Sequence, residues 1–194
     1  MNSIAPRAHS LAFTLTFILL LAYGAPAAAT QVFYVPMEKM AVESEVIVHA
    51  RVVAQRVTWD DAHARILTLT TIEVLDGIKG AETGEQILIY QVGGTLDGIT
   101  FDIPGALRFV AGQEMIFFAI RFGDMIASYG MGQGKWILHE RDGVAYVAPE
   151  FGDVAWVTPQ PGGLAPAAAP RVRPETLSNF LGRIDAALRT GGGR

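Results

Sequence analysis

The sequence predicts an all-β domain of six to eight strands, closed or nearly so, with a short helix at its N-terminal end and an amphipathic helix at its C-terminal end. Three observations carry that prediction. The stretch "EVIVHARVVAQRVTW" alternates for most of its length, with Val46, Val48, Ala50, Val52 and Ala54 on one face and Glu45, His49, Arg51 and Gln55 on the other. Gly123–Asp124 and Asp142–Gly143 each sit between strand-like runs, as two-residue hairpin turns of the II′ and I′ kinds do. The alternation in "RILTLTTIEVLDG" shifts phase near Thr70–Thr71, which is how a bulge that bends a strand towards barrel closure looks in sequence.

Along the chain, Met1–His9 is polar and weakly basic, and Ser10–Tyr23 is an apolar run short for a membrane span. Ala27 and Ala29 then stand in the small-x-small arrangement of a signal peptidase site. Residues 1–29 are therefore expected to be a secretory signal peptide cleaved near Ala29, giving a secreted or periplasmic product with no membrane span after cleavage. The β domain is expected over 30–148. It opens with a short helix in "PMEKMAVESE", where proline precedes good helix formers. Asp60–Ala64 reads as the turn after the first long strand, "EQILIYQV" as the third strand, and Gly93–Gly112 as a long irregular connection. "EMIFFAI", Glu114–Ile120, is the strongest core strand and starts an antiparallel meander. Residues 149–173 read as a Pro/Ala/Gly-rich linker. Residues 174–190 read as a helix, with Leu177, Phe180, Leu181, Ile184 and Leu188 on one stripe that needs a surface, most naturally the outside of the β domain.

The chain has no cysteine, so a secreted fold must be held by its core alone, and thiol catalysis and thiolate metal sites are excluded. The formal charge of −4 becomes −5 once Arg7 is removed. From Thr30 to Gln160 there are 9 Lys or Arg against 17 Asp or Glu, a poor balance for gripping nucleic acid. No nucleic-acid partner and no cofactor are expected.

Several motifs could carry chemistry. In "YGMGQGKWIL" three glycines precede Lys135, but a phosphate-binding loop needs glycine where Tyr129 stands and Ser or Thr where Trp136 stands. The stretch reads as a bend. Asp60, Asp61 and His63, beside Trp59, offer two carboxylates and an imidazole that could help to hold a divalent cation. The other ligands such a site needs are not visible, and the stretch reads first as a solvated turn, where Asp is favoured. No G-x-S-x-G elbow is present, and Ser44, Ser128 and Ser178 are the only serines beyond residue 29. Long connections inside compact domains tend to be functional, so Gly93, Gly94, Asp97 and Asp102 are candidate binding residues, together with Gly132, Lys135 and Trp136 in the later turn.

The segments "SEVIVHARVV", "TIEVLDGIKG", "VGG", "PGALRFVAGQEMIFFAI" and "GMGQGKWIL", in this order, resemble an uncharacterised family of secreted bacterial proteins. More remotely, "VIVHARVV", "VLDGIKG" and "AGQEMIFFAI" are similar to the OB-fold modules of netrin-like domains and tissue inhibitors of metalloproteinases. That resemblance implies an OB-like antiparallel β-barrel. The cysteine through which those inhibitors chelate zinc has no counterpart here. The expected function is an exported, non-enzymatic binding module that associates with another exported protein, a secreted protease or an envelope protein. Two alternatives stay open: an enzyme or metal-binding protein centred on residues 59–63, and a structural envelope component.

Overall fold

The computed structural model describes residues 30–152 and 154–191. The signal peptide expected over 1–29 lies outside the described residues. The first elements are strand β1 (Gln31–Val32), helix α1 (Met37–Glu43), and the long strands β2 (Val46–Trp59) and β3 (Ile66–Lys79). β4 (Gln86–Val92), the short strands β5 (Gly94–Leu96) and β6 (Ile99–Phe101), β7 (Glu114–Phe122) and β8 (Met125–Ser128) follow. A 3₁₀ turn (Met131–Gly134) leads to β9 (Lys135–Arg141) and β10 (Val144–Pro149). β11 (Ala155–Gln160), β12 (Gly163–Pro166), β13 (Glu175–Thr176) and helix α2 (Leu177–Gly191) complete the described residues.

The largest sheet runs β13-β10-β9-β7-β2-β3-β4-β8, and β8 also pairs with β7. The pairings therefore return to their start through β7, β2, β3, β4 and β8. The last join is thin: β4 meets β8 in parallel at the single pair Ile89↔Ile126, while the other four contacts of the ring are antiparallel. The described residues are mostly β with two helices, and the main sheet closes in part.

Two apolar clusters lie on opposite sides of this sheet, and alternation on β2 and β7 feeds both. Val46, Val48, Ala50, Met115, Phe117 and Ala119 point into the ring, where they meet Ile72, Val74, Ile87 and Ile89. Ile47, Ile116 and Phe118 point outward to a second cluster with Met37 and Met40 of α1 and Phe180, Ile184 and Ala187 of α2. Strands buried on both faces read as continuous apolar runs, as "EMIFFAI" does. The stripe on the terminal helix thus finds its surface on the outside of its own sheet. Arg183 of α2 reinforces that docking through ion pairs to Glu38 and Glu175.

Helix α1 starts after Pro36, whose fixed φ of −58° suits helix entry, and buries Met37, Met40 and Ala41 at helical spacing. Its C-terminal carbonyls of Ala41 and Val42 accept hydrogen bonds from Lys79 Nζ at 3.2 and 2.8 Å. A cation at a helix C-terminus also meets the negative end of the helix dipole, which gives the lysine of "DGIKG" a structural task. No helix among the described residues is long and apolar enough to cross a membrane.

The structure revises three expectations. The register break lies in β2, between Val52↔Ile72 and Ala54↔Thr71, so Val53 is the extra residue and the phase shift seen in β3 mirrors its partner. Further shifts fall beside Val48 and Ala50. The connection 93–112 is not wholly irregular, because β5 and β6 form a hairpin in it. The stretch 149–173, read as a linker, carries the β11–β12 hairpin, and β11 pairs in parallel with β1. Both turn types assigned from sequence agree with the backbone. Gly123 has positive φ and Asp124 does not, whereas Asp142 and Gly143 both do.

Candidate binding surface

The candidate residues fall into three groups, and the structure brings only some of them together. The first lies on the connection from β4 to β7. Leu96 pairs with Ile99 around Asp97–Gly98, whose φ values of 52° and 76° are those of a type I′ turn. An Asp-Gly pair flanked by apolar residues was the available signal for this hairpin. The hairpin lies over the outer part of β2 and β3, and Gly94 allows the approach. At its φ of +135°, a Cβ would stand 2.7 Å from Thr68 Oγ1 and 2.9 Å from Val57 Cγ1. Gly93 is tied in through its N–H to the Ile66 carbonyl at 2.8 Å, and its own carbonyl accepts from Thr68 Oγ1 at 2.8 Å. Trp59 Nε1 donates to Asp97 Oδ2 at 3.2 Å, joining the tip of β2 to the hairpin turn. The hairpin leaves Ile99 52% and Phe101 43% exposed, with Val92 and Val110 also exposed nearby in the chain.

The second group is the turn before β9, and here burial is the main finding. Lys135 is fully buried. Its Nζ pairs with Glu150 Oε2 at 2.5 Å, donates to Gln113 Oε1 at 3.2 Å and to the Arg108 carbonyl, and lies 5.2 Å from the centre of the Phe109 ring. A buried ammonium is tolerable only when so paired. Lys135 thereby pins the returning limb of the 93–113 connection to the end of β10. Trp136 is also buried and packs on Phe180 with ring centres 4.4 Å apart. Gly132 and Gly134 are buried too, and a Cβ on Gly134 would stand 2.5 Å from the Phe118 carbonyl. Expected as contact residues, Gly132, Lys135 and Trp136 are instead inside. The reason is long-range: Lys135's partners lie 15 to 27 positions away, out of reach of any local pattern.

Residues 102–108 separate two clefts. One, of about 430 Å³, is lined by Asp102, Pro104, Gly105, Arg108, Glu150 and Phe151 among others. The other, of about 150 Å³, lies towards β4 and is bordered by Gln91, Val92, Gly93 and Phe101. Gln91 Nε2 donates to the Leu107 carbonyl at 3.1 Å and fixes the wall between them. Gly93, Gly94 and Asp102 thus border a common depression, with Lys135 buried beneath the wall and Asp97 at the hairpin tip. A wider groove of about 630 Å³ runs between α1 and α2 and borders none of the candidate residues.

The third group is the β2–β3 turn. Asp60 Oδ1 accepts the amides of Ala64 and Arg65 at 2.8 and 3.1 Å, and Oδ2 meets Arg65 Nε at 3.1 Å. The Ala64 amide first, and then that of Arg65, hold the Asp60 carboxyl below the ordinary range. His63 takes a positive φ of 52° and stacks on Trp59, with rings 5.9 Å apart and 13° from parallel. Asp61 is exposed. Among the described residues no group of three His, Asp or Glu side chains gathers as a metal would require. Asp60 closes the turn, as the solvated-turn reading of this stretch implies.

Sequence reasoning missed one charged cluster on the outer face. Glu114 joins Arg51 at 2.8 Å and His49 at 3.2 Å, and Arg51 reaches Glu73 at 3.6 Å. The signal was present, since His49 and Arg51 alternate on one strand face, but Glu114 is 65 residues away from His49.

No protein-family model, curated protein or solved structure matches the chain. Its chemistry must be argued from the surface alone. That surface offers exposed apolar side chains on a braced hairpin, flanked by carboxylates and Arg108. Such a set can recognise a partner.

Proposed function

We propose that the chain is an exported, non-enzymatic binding module built on an OB-like barrel, and that it engages another exported protein through the connection between β4 and β7. The pairing order supports this reading: three antiparallel strands, a parallel contact between the third and the fifth, and a fourth that returns to the first are the pairings that a partly open five-stranded Greek-key barrel would have. The observation that carries the functional reading is the exposure of Ile99 and Phe101 on a hairpin held by Gly93, Thr68 and the Trp59–Asp97 bond. Large apolar side chains on a rigid support lose little entropy when they are covered, which favours association. The partner is a secreted protease or an envelope protein.

The test uses the purified protein as bait for the exported proteins of its source, with retained species identified by mass spectrometry. A near-stoichiometric partner that the Ile99→Ser, Phe101→Ser double variant no longer retains supports the reading. Equal retention by both proteins would sink it.

A further inference from the structure

The N-terminal strand is held in the way proteins hold a peptide ligand. β1 pairs with β11 over only two positions, Gln31↔Ala155 and Val32↔Trp156. The other hydrogen bonds of this segment are to its backbone. The Ala155 amide donates to the Thr30 carbonyl at 3.0 Å. Gln133, only 3% exposed, uses one side-chain amide to read two backbone groups of the segment. Its Oε1 accepts from the Val35 N–H at 2.8 Å, and its Nε2 donates to the Phe33 carbonyl at 2.9 Å. A second bond from Nε2 to the Gly130 carbonyl at 3.2 Å holds the amide in place.

The side chains add one buried contact and one surface contact, in which the Tyr34 ring meets Phe151 and Trp156 edge-on with centres 6.3 Å apart in each case. Gln31, Phe33 and Tyr34 are exposed, and only Val32 is buried, in a small cleft with Gln133, Phe151 and Trp156. Main-chain pairing with one pocketed side chain is the economy of strand addition, in which the backbone supplies affinity and the pocket supplies selectivity. Helix α1 is anchored separately, by Met37 and Met40 in the second cluster, against which Val35 also packs, so the segment 30–34 can leave without disturbing either core.

We propose that the groove formed by Gln133, β11 and Trp156 is a binding site for an extended peptide with an apolar residue at the place of Val32. β1 is its resident occupant, exchangeable for an extended segment of a partner protein. This does not rest on the surface proposed above. The tether holds β1 at an effective concentration on the order of millimolar, so a free peptide competes poorly until β1 is displaced.

The probe is a fluorescein-labelled peptide with the sequence of residues 30–36, TQVFYVP, titrated by fluorescence anisotropy into the purified protein. Val32→Asp puts a charge where Val32 is buried and frees the groove. Saturable binding to that variant, at least about tenfold tighter than to the unsubstituted protein, is the expected result. Adding Gln133→Ala should weaken it at least about fivefold. The proposal is overturned if the peptide fails to bind the Val32→Asp variant, binds the unsubstituted protein equally well, or ignores Gln133→Ala. If Val32→Asp does not fold by circular dichroism, a chain with Gln31–Tyr34 replaced by Gly-Ser-Gly-Ser takes its place, and the same results decide.

Discussion

Strand β2 spends its first half inside the protein and its second half outside, and the border is one residue wide. From Val46 to Val52 its apolar side chains are buried, with Ile47 turned to the helices and Val46, Val48, Ala50 and Val52 turned into the ring. At Val53 the register with β3 breaks, and Val53, Ala54, Gln55 and Arg56 are all exposed. Beyond that point the ribbon is covered on one side only, where Ile66 stays buried close under Gly94 of the β5 segment. The inner half is a packed core in which any change of volume is felt. The outer half is a platform whose free side chains can change while the fold persists. Proteins that bind through loops on a rigid scaffold divide labour in this way.

The largest effect belongs to the inner half. Phe117 is fully buried and meets Phe109 edge to face with ring centres 5.9 Å apart. Phe117→Ala should cost about 3–5 kcal/mol, measured by urea unfolding, because the cavity lies where both walls are strands that cannot collapse. A loss below about 1 kcal/mol would mean that the ring interior is not the packed core that the comparison requires. Next comes Lys135, which joins the core to the platform. Lys135→Ala removes a charge on which Glu150, Gln113 and the Arg108 carbonyl all depend. A cost of about 2–3 kcal/mol is expected, below that for a fully enclosed pair because Glu150 keeps solvent contact. Amide exchange in that variant should rise over residues 108–113 before it rises in β7.

The division between the halves explains what the sequence could reveal. Where both faces of a strand or one stripe of a helix meet the core, the apolar period is legible, and "EMIFFAI" and the Leu177–Leu188 stripe are placed correctly on that basis alone. Turn chemistry is equally local, so Gly123–Asp124 and Asp142–Gly143 were identified with their types. Asp97–Gly98 and the Pro161–Gly162 turn before Gly163 gave the same kind of signal but sat in stretches whose other residues looked irregular. What could not be read is any feature fixed by distant partners. The burial of Lys135, the parallel contacts β4–β8 and β1–β11, and the extra residue Val53 all depend on segments far apart in sequence. Among the site residues, Gly93, Gly94 and Asp102 border a cleft as a functional loop would, whereas the glycine-rich run before Lys135 proved to be a close-packed bend.

Two intermediate changes sharpen the border. Gly94→Ala should cost about 1–3 kcal/mol, since its φ of +135° and the approach of Thr68 and Val57 leave no room for a methyl group. A neutral result would mean that the hairpin does not rest on the ribbon. Glu114 offers a test through pH. The Arg51 hydrogen bond, the largest cause, outweighs burial and with His49 holds the Glu114 carboxyl below its usual value of 4.5. A carboxyl lowered on folding adds stability that is present above 4.5 and is lost as the pH falls through the folded value. Glu114→Gln should therefore flatten the acid limb of the stability curve below pH 4.5, and an unchanged limb would place the acid sensitivity elsewhere.

The smallest effect on stability falls on the residues given the largest part in recognition. Ile99 and Phe101 are about half exposed, and neither belongs to either buried cluster. The double change Ile99→Ser and Phe101→Ser should stay within about 0.5 kcal/mol of the parent in urea unfolding, as surface substitutions do. Its backbone bonds through Gly93 and the Trp59–Asp97 contact do not involve either side chain. A loss above about 2 kcal/mol would make these residues part of the core of the outer half, and their exposure would then say nothing about a partner. Parent-like stability with loss of the retained partner separates folding from recognition on one platform, which is the division that the break at Val53 first suggests.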